Sequence, residues 1–437
     1  MPRYNVPVRI LISAGEASGE MCGAQLMEAL HRRVAIPAHV GTELHPVQAG
    51  QSPASTRAGQ LEFFGAGGER MRAAGCEIVV DAKDLAVVGI TEVLSHLPKI
   101  LGLYRKLIRS AGEKRPVLAI VIDAPAFNWR LARQMHRRGI PVVYYVCPQF
   151  WAWRQGRVKL LRKYVDKALV IFPFEEKFYR DRGVDATFVG HPLADLPAPE
   201  ITREAYAAEN QIDAAKPWIT LMPGSRRKEV GLNLPTILDA TDRLEKDRLG
   251  SGYEFLLPVA RTLDASFLTE LMEARPKATR LATSPQARRS IHLVPEALPA
   301  LFHSRAAIVA SGTATVEAAL MGTPFVMVYR VSRLTYALGK PRMKVPYFAM
   351  VNLIAGEEVV PELVQYKFTV ENVVTELNKI IPDGEPRARM IERLAAVKTR
   401  LKQGSGSNAH PSERAAEIIL KEIRGRSAEG DPLKMIR

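Results

Sequence analysis

The run AAIVASGTATVEAALMGTPFVMVY, residues 306–329, constrains the fold more than any other stretch of the chain. Residues 306–310 are short and wholly apolar, Ser311 and Gly312 interrupt them, and 313–321 holds helix formers before Gly322 and Pro324 stop it. A second apolar run over 325–329 completes a strand, helix, strand unit. Backbone N–H groups gather at the helix start, beside the hydroxyls of Ser311 and Thr313 and a glycine that lets a ligand come close. That arrangement suits a phosphate anion. Glu317 is the one charged residue of this helix and lies four residues after Thr313, one beyond the capping-box spacing. Two readings stand for it: an exposed acid on a half-buried helix, or an acceptor for ribose hydroxyls, as in other nucleotide sites.

The same alternation extends over most of the chain. Strands are predicted over 8–13, 117–122, 141–146, 168–172 and 187–189, then over 218–222, 254–258, 290–294, 306–310 and 325–329. Helices are predicted over 21–33, 129–138, 370–401 and 412–424. This is an α/β pattern, with parallel sheets covered on both faces. At 437 residues the chain exceeds one ordinary core. We expect an amino-terminal α/β domain over 1–195 with a flexible insertion at 37–60, a second α/β domain over 196–370, helices over 371–424 and a disordered tail over 425–437. Two such halves in tandem would leave a cleft at the carboxyl ends of their strands.

A net charge of +15 favours an acidic partner, whether nucleic acid, an anionic membrane or a phosphorylated substrate. Cys22, Cys76 and Cys147 leave at least one thiol unpaired in any disulfide scheme, which fits a reducing cytosol. No signal peptide is read, and the most apolar stretch, 85–104, is interrupted by Glu92, His96, Pro98 and Lys99. Contact with a membrane would be peripheral.

Asp123 follows an apolar strand directly and precedes Pro125, so it is either a base at the carboxyl edge of the sheet or a helix cap. Residues 223–229 join a glycine loop to Arg226, Arg227 and Lys228, suited to phosphate or simply solvated. Residues 148–157 set Trp151 and Trp153 beside Arg154 and Arg157, for stacking, lipid contact or corner packing. Val87, Val88, Ile90, Val93, Leu94 and Leu97, followed by Lys99, Arg105, Lys106 and Arg109, form either a core stripe or a face for an anionic bilayer. His191 reads as a structural histidine. No H-E-x-x-H, paired cysteine motif or Asp-x-Asp occurs, so a divalent ion on a nucleotide diphosphate lacks its simplest ligands.

These segments resemble the lipid A disaccharide synthases of glycosyltransferase family 19 over nearly the whole chain. The matching stretches are 15–19 (GEASG), 85–94 (LAVVGITEVL), 122–125 (IDAP), 151–155 (WAWRQ), 189–193 (VGHPL), 223–226 (PGSR), 311–317 (SGTATVE) and 361–365 (PELVQ). The resemblance implies a GT-B fold of two Rossmann-like domains and a reaction joining UDP-2,3-diacylglucosamine to 2,3-diacylglucosamine 1-phosphate, with no metal and no cofactor. It implies that Asp123 is the base for the acceptor 6-hydroxyl and that Glu16 and Ser18 serve the acceptor. Arg226, Ser311, Gly312 and Thr313 would hold UDP, Glu317 the ribose, and Asn352 and Gln365 the donor sugar. Val87, Val88, Ile90, Val93, Leu94 and Leu97 would meet the anionic membrane surface on the cytoplasmic side of the inner membrane, and the last helices can exchange within a homodimer. Nucleic acid is not an expected partner.

Glu20, Ala126 and 147–150 (CPQF) depart from the family pattern of Asp, Asp and Ser-Pro-Ser-Val. They bear on acceptor and acyl-chain preference. The rival readings are a UDP-N-acetylglucosamine 2-epimerase or a peptidoglycan-precursor transferase of the same fold, and a basic binding protein without chemistry.

Overall fold

The computed structural model describes residues 7–15, 17–35, 61–85, 90–247, 252–260, 262–274, 291–402 and 409–429. The chain divides into two compact units, Met1–Pro192 with Gln403–Arg437, and Leu193–Lys402.

Unit one is built on β1 (Val8–Ala14), β2 (Leu61–Gly67), β3 (Cys76–Asp81), β4 (Leu118–Ile122), β5 (Val142–Tyr145), β6 (Lys167–Val170) and β7 (Ala186–Phe188). They form one sheet in the order β3-β2-β1-β4-β5-β6-β7, every pair parallel. All five residues of β4 are buried, as an uninterrupted apolar strand at the centre of a two-sided sheet must be. Leu11, Phe64, Val121, Tyr144 and Val170 share one core cluster with Leu107 from the helix Ile90–Lys114 and Leu131 from the helix Pro125–His136. The helix Ala17–Ala35 packs against the last helix, Pro411–Glu429. Arg32 and Arg33 each reach the Glu413 carboxylate, at 2.8 and 2.9 Å, and Arg414 Nε donates to Val189 O at 2.6 Å. The helix Pro411–Glu429 is thereby part of unit one.

Unit two carries β8 (Trp218–Met222), β9 (Glu254–Pro258), β10 (Ile291–Val294), β11 (Ala306–Ala310), β12 (Phe325–Tyr329) and β13 (Glu362–Val364) in the order β10-β9-β8-β11-β12-β13, again parallel throughout. β8, β9, β11 and β12 have the predicted limits. β2, β3 and β13 are additional to the prediction. The helix expected over 129–138 begins instead at Pro125, whose fixed φ suits the first helical position. The helix expected over 370–401 is two, Val370–Ile380 and Glu385–Lys402. Pro382 and Gly384 break it, and Arg387 donates to the freed Ile380 carbonyl at 2.8 Å.

Each sheet reverses its winding once, between β1 and β4 in unit one and between β8 and β11 in unit two. Beyond the carboxyl ends of those strands lie the crevices where open α/β sheets bind ligands.

Candidate active site

Asp123 is the first residue beyond β4, at the unit-one switch point, and its N–H continues the ladder to Tyr145 O at 3.3 Å. Its φ is +47° and that of Ala124 is +45°. Two successive side-chain-bearing residues in the left-handed region need surroundings that hold them there. Asn128, fully buried one turn into the following helix, supplies them. Its Nδ2 lies 2.8 Å from Ile122 O, 2.9 Å from Asp123 O and 3.2 Å from Ser13 O, two N–H groups shared among three carbonyls, while its Oδ1 accepts from Ser13 Oγ at 2.7 Å. Tyr144 Oη donates to the same Asp123 carbonyl at 2.7 Å.

The turn after β1 lies against this one. A Cβ on Gly15 would stand 2.5 Å from Ala124 Cβ, so only glycine allows the approach, and the Gly19 position is in contact range of Asp123 Cβ at 3.7 Å. Ser18 is the exposed chain neighbour of Gly19, whereas Glu16 lies outside the described residues. The buried Cys22 thiol is pushed up to about 12 by burial first and the Asp123 charge second, so it stays protonated. Glu20 accepts from Arg70 N at 2.6 Å and so holds the start of the helix Glu69–Ala73. Ala126 is exposed, and Cys147 and Phe150 are buried.

The WAWRQ and VGHPL stretches meet in an aromatic cluster. Trp151 and Phe174 pack edge to face at 4.9 Å, Phe172 stacks on Phe174 at 5.8 Å, and Phe172 reaches the His191 ring at 5.2 Å. Glu175 is fully buried beneath them. It accepts from Trp151 Nε1 at 2.8 Å, Phe172 N at 3.0 Å and Ile171 N at 3.2 Å. Burial outweighs these donors and raises its carboxyl to about 7, while burial lowers His191 to about 4. Trp153, by contrast, is exposed, with the Arg154 guanidinium 3.8 Å over its ring. Glu175 was not singled out in the sequence; a Glu two residues after Pro173 at a helix start is its only local signal.

In unit two the loop after β8 and the turn after β11 share the second switch point. Glu229 Oε2 accepts from Ser225 N at 3.3 Å, its carboxyl raised by burial and opposed by the charge of the exposed Arg226. Asn233, buried, ties Pro223 O at 2.9 Å to the N–H of Arg330 at 3.0 Å. Ser311 Oγ donates to Phe348 O at 2.9 Å. Gly312 caps the helix Thr313–Met321 with φ +139° and ψ −160°, a region open essentially to glycine alone, and among the described residues no atom beyond its chain neighbours would lie within 4 Å of a Cβ there. The turn therefore presents open space at a nine-residue helix start, with Thr313 exposed. Glu317 is half-buried on that helix, its carboxyl raised by burial alone, with no hydrogen bond or ion pair among the described residues. A desolvated carboxylate without a donor is a ready acceptor for hydroxyl groups.

Asn352 and Gln365 are held differently. Asn352 is fully buried; Nδ2 donates to Val360 O and Glu362 Oε1, both at 2.9 Å, and Oδ1 accepts from Val359 N at 2.8 Å and Val360 N at 3.0 Å. Its side-chain capacity is fully used inside the protein. Gln365, at φ +54°, pairs its amide with Val331 N at 3.2 Å and Val331 O at 3.0 Å. Glu362, whose place in the PELVQ stretch carried no assigned role, accepts from Phe348 N at 2.9 Å and Ala349 N at 2.8 Å and so fixes the segment that receives Ser311.

Val87 and Val88 lie outside the described residues. Ile90, Val93, Leu94 and Leu97 fall on the backbone of the helix Ile90–Lys114, their side chains outside the description. Among the described residues no helix is long and apolar enough to cross a membrane, and no group of three or more His, Cys, Asp or Glu could hold a metal ion.

Residues 10–419 match the family described as lipid-A-disaccharide synthetase. The lipid-A-disaccharide synthase of Koribacter versatilis is 49% identical over 413 residues, 94% of this chain and 98% of that relative. That of Myxococcus xanthus is 39% identical over 416 residues, 95% and 97% of the two chains. Among solved structures, the glycotransferase of kitacinnamycin superposes with a TM-score of 0.58 at 15% identity, covering 96% of this chain and 100% of that one. The calicheamicin glycosyltransferase CalG4 gives 0.56 at 15% identity, covering 97% and 99%. The two parallel α/β sheets are thus those of the GT-B fold.

Proposed function

The chain belongs to the lipid-A-disaccharide synthetase family, and on that premise we propose that it joins UDP-2,3-diacylglucosamine to 2,3-diacylglucosamine 1-phosphate with inversion and without a metal. The products are the β-1,6-linked disaccharide 1-phosphate and UDP. Family membership makes the protein a glycosyltransferase of lipid A biosynthesis. The observation that carries the finer reading is Asp123, fixed in a left-handed turn at the unit-one switch point.

In the proposed step the Asp123 carboxylate takes the proton of the acceptor 6-hydroxyl as that oxygen bonds to the donor anomeric carbon. The bond from that carbon to the UDP oxygen breaks, and UDP leaves with the electron pair. Arg226 and the N–H groups at the Ser311-Gly312-Thr313 turn offset the charge gathering on the diphosphate. Glu317 accepts from the ribose hydroxyls. Glu16 and Ser18 serve the acceptor, while Asn352 and Gln365 shape the donor side through the backbone they brace. Residues 1–195 would carry the acceptor and residues 196–370 the donor. Val87, Val88, Ile90, Val93, Leu94 and Leu97 would meet acyl chains and the anionic inner leaflet, with the enzyme peripheral on its cytoplasmic side. Exchange of the last helices within a homodimer belongs to the same reading.

The test is UDP release from UDP-2,3-diacylglucosamine in detergent micelles, with and without 2,3-diacylglucosamine 1-phosphate, with EDTA throughout. Release that depends on acceptor and survives EDTA is the expected result. Release abolished by EDTA would overturn metal independence, and release indifferent to acceptor would overturn the transfer itself.

A further inference from the structure

We propose that Asn128 is a positioning residue for the reaction, setting the direction of the Asp123 carboxylate through the carbonyls on either side of it. The inference rests on the reading of Asp123 as the base.

The backbone at Asp123 and Ala124 is held in a conformation that residues with a Cβ adopt rarely, φ +47° and +45°. An ordinary β-to-helix turn would send the side chain of residue 123 elsewhere, so whatever stabilises this turn also aims the carboxylate. Asn128 Nδ2 reaches the carbonyls of Ser13 and Ile122 on the two switch-point strands and that of Asp123 just beyond the second. It is fully buried, and its oxygen takes the Ser13 hydroxyl at 2.7 Å, which fixes the amide orientation. One side chain thus ties the end of β1, from which the chain turns at Gly15 into the helix Ala17–Ala35, to the end of β4. Tyr144 Oη reaches the Asp123 carbonyl from another strand at 2.7 Å and supports the same orientation. Neither group is aimed at solvent. Both act on the base only through the peptide that bears it.

Asp cannot replace Asn here in its charged form, because a carboxylate would face three carbonyl oxygens without a proton to give. Proper aim matters because misplacing a reacting group by about 1 Å costs about 10²-fold in rate.

The experiment is a double-mutant cycle on acceptor-dependent UDP release, with UDP affinity measured by calorimetry. Asn128→Ala should lower kcat by about 10²-fold with UDP affinity unchanged. Tyr144→Phe, which removes one hydroxyl and keeps the ring, should lower kcat less. In the Asp123→Asn background neither should lower kcat further, because the group they aim is no longer a base. Losses that multiply in that background, or near-normal kcat in Asn128→Ala with Asp123→Asn inactive, would overturn the positioning role alone. Near-normal turnover of Asp123→Asn would instead overturn the base reading and the positioning role with it. If Asn128→Ala does not fold, the Tyr144→Phe cycle decides in the same way.

Discussion

Trp151 Nε1 donates to the fully buried Glu175 carboxylate at 2.8 Å, and Phe172, whose N–H reaches the same carboxylate, packs its ring on His191. The two titratable groups of this cluster are shifted in opposite directions, Glu175 up to about 7 and His191 down to about 4. Cys147 and Tyr179 flank Glu175 and are held protonated by burial.

A raised carboxyl means that the folded protein binds more protons than the unfolded chain between pH 4.5 and about 7, so this contribution to stability falls as pH rises there. A lowered histidine does the reverse between about pH 4 and 6.5. The slopes oppose each other where they overlap. Glu175→Gln should therefore unmask the histidine, steepening the rise of stability with pH by up to about 1.4 kcal/mol per unit. It should also lower stability by about 1–3 kcal/mol, since the amide turns one N–H toward donors. Denaturant midpoints across pH 4.5–6.5 read both, and an unchanged slope would show that Glu175 is ionised throughout.

Asp123→Asn keeps the shape of the turn while removing the proton acceptor. Turnover should drop by about 10²–10⁴-fold, the usual worth of general-base help, with UDP binding intact. Single-turnover UDP release and UDP calorimetry separate the two. A matched loss of UDP affinity would mean that the substitution disturbs more than the base.

Glu317→Ala should weaken UDP binding by about 10–100-fold, since bonds to a charged group contribute about 1.5–3 kcal/mol. The sharper readout is discrimination. The parent should prefer UDP over 2′,3′-dideoxy-UDP, and the variant should bind both alike. An equal preference in the two proteins would remove Glu317 from the ribose.

Glu362→Ala strips the acceptor from the N–H groups of Phe348 and Ala349 and from Asn352. Thermal denaturation should show a loss of about 2–4 kcal/mol, from buried donors left unpaired. UDP affinity should fall as well, because Ser311 is anchored on Phe348. Unchanged melting would mean that the segment finds other acceptors.

The unit from β11 through β12 was legible to the residue, because a short apolar strand, a glycine turn and a helix closed by Gly322 each carry their own local signal. β2 was not, since Gly65 and Gly67 in LEFFGAG look like turn residues and its place in the sheet comes from pairing with β1. β13 is three residues long and reads as loop. Within the site, Asp123 and the Gly312 turn could be picked out from strand ends. Asn128 could not, because its partners include Ser13, distant by 115 positions. Glu175 is one of two adjacent acids, and only the packing of Trp151 distinguishes it from Glu176. The unusual φ of Asp123 and Ala124 has no sequence mark either, as neither is glycine.

The closing of unit one by Pro411–Glu429 gives the chain an order of assembly during synthesis. The helix that covers Ala17–Ala35 leaves the ribosome only after the whole of Leu193–Lys402. The middle of the chain can therefore complete its sheet while the beginning still waits for its cover. A truncation just before Pro411 would then damage the first-made sheet rather than the one made after it. The nascent amino-terminal half, with its apolar helix face open until Pro411–Glu429 emerges, is where a chaperone would be needed.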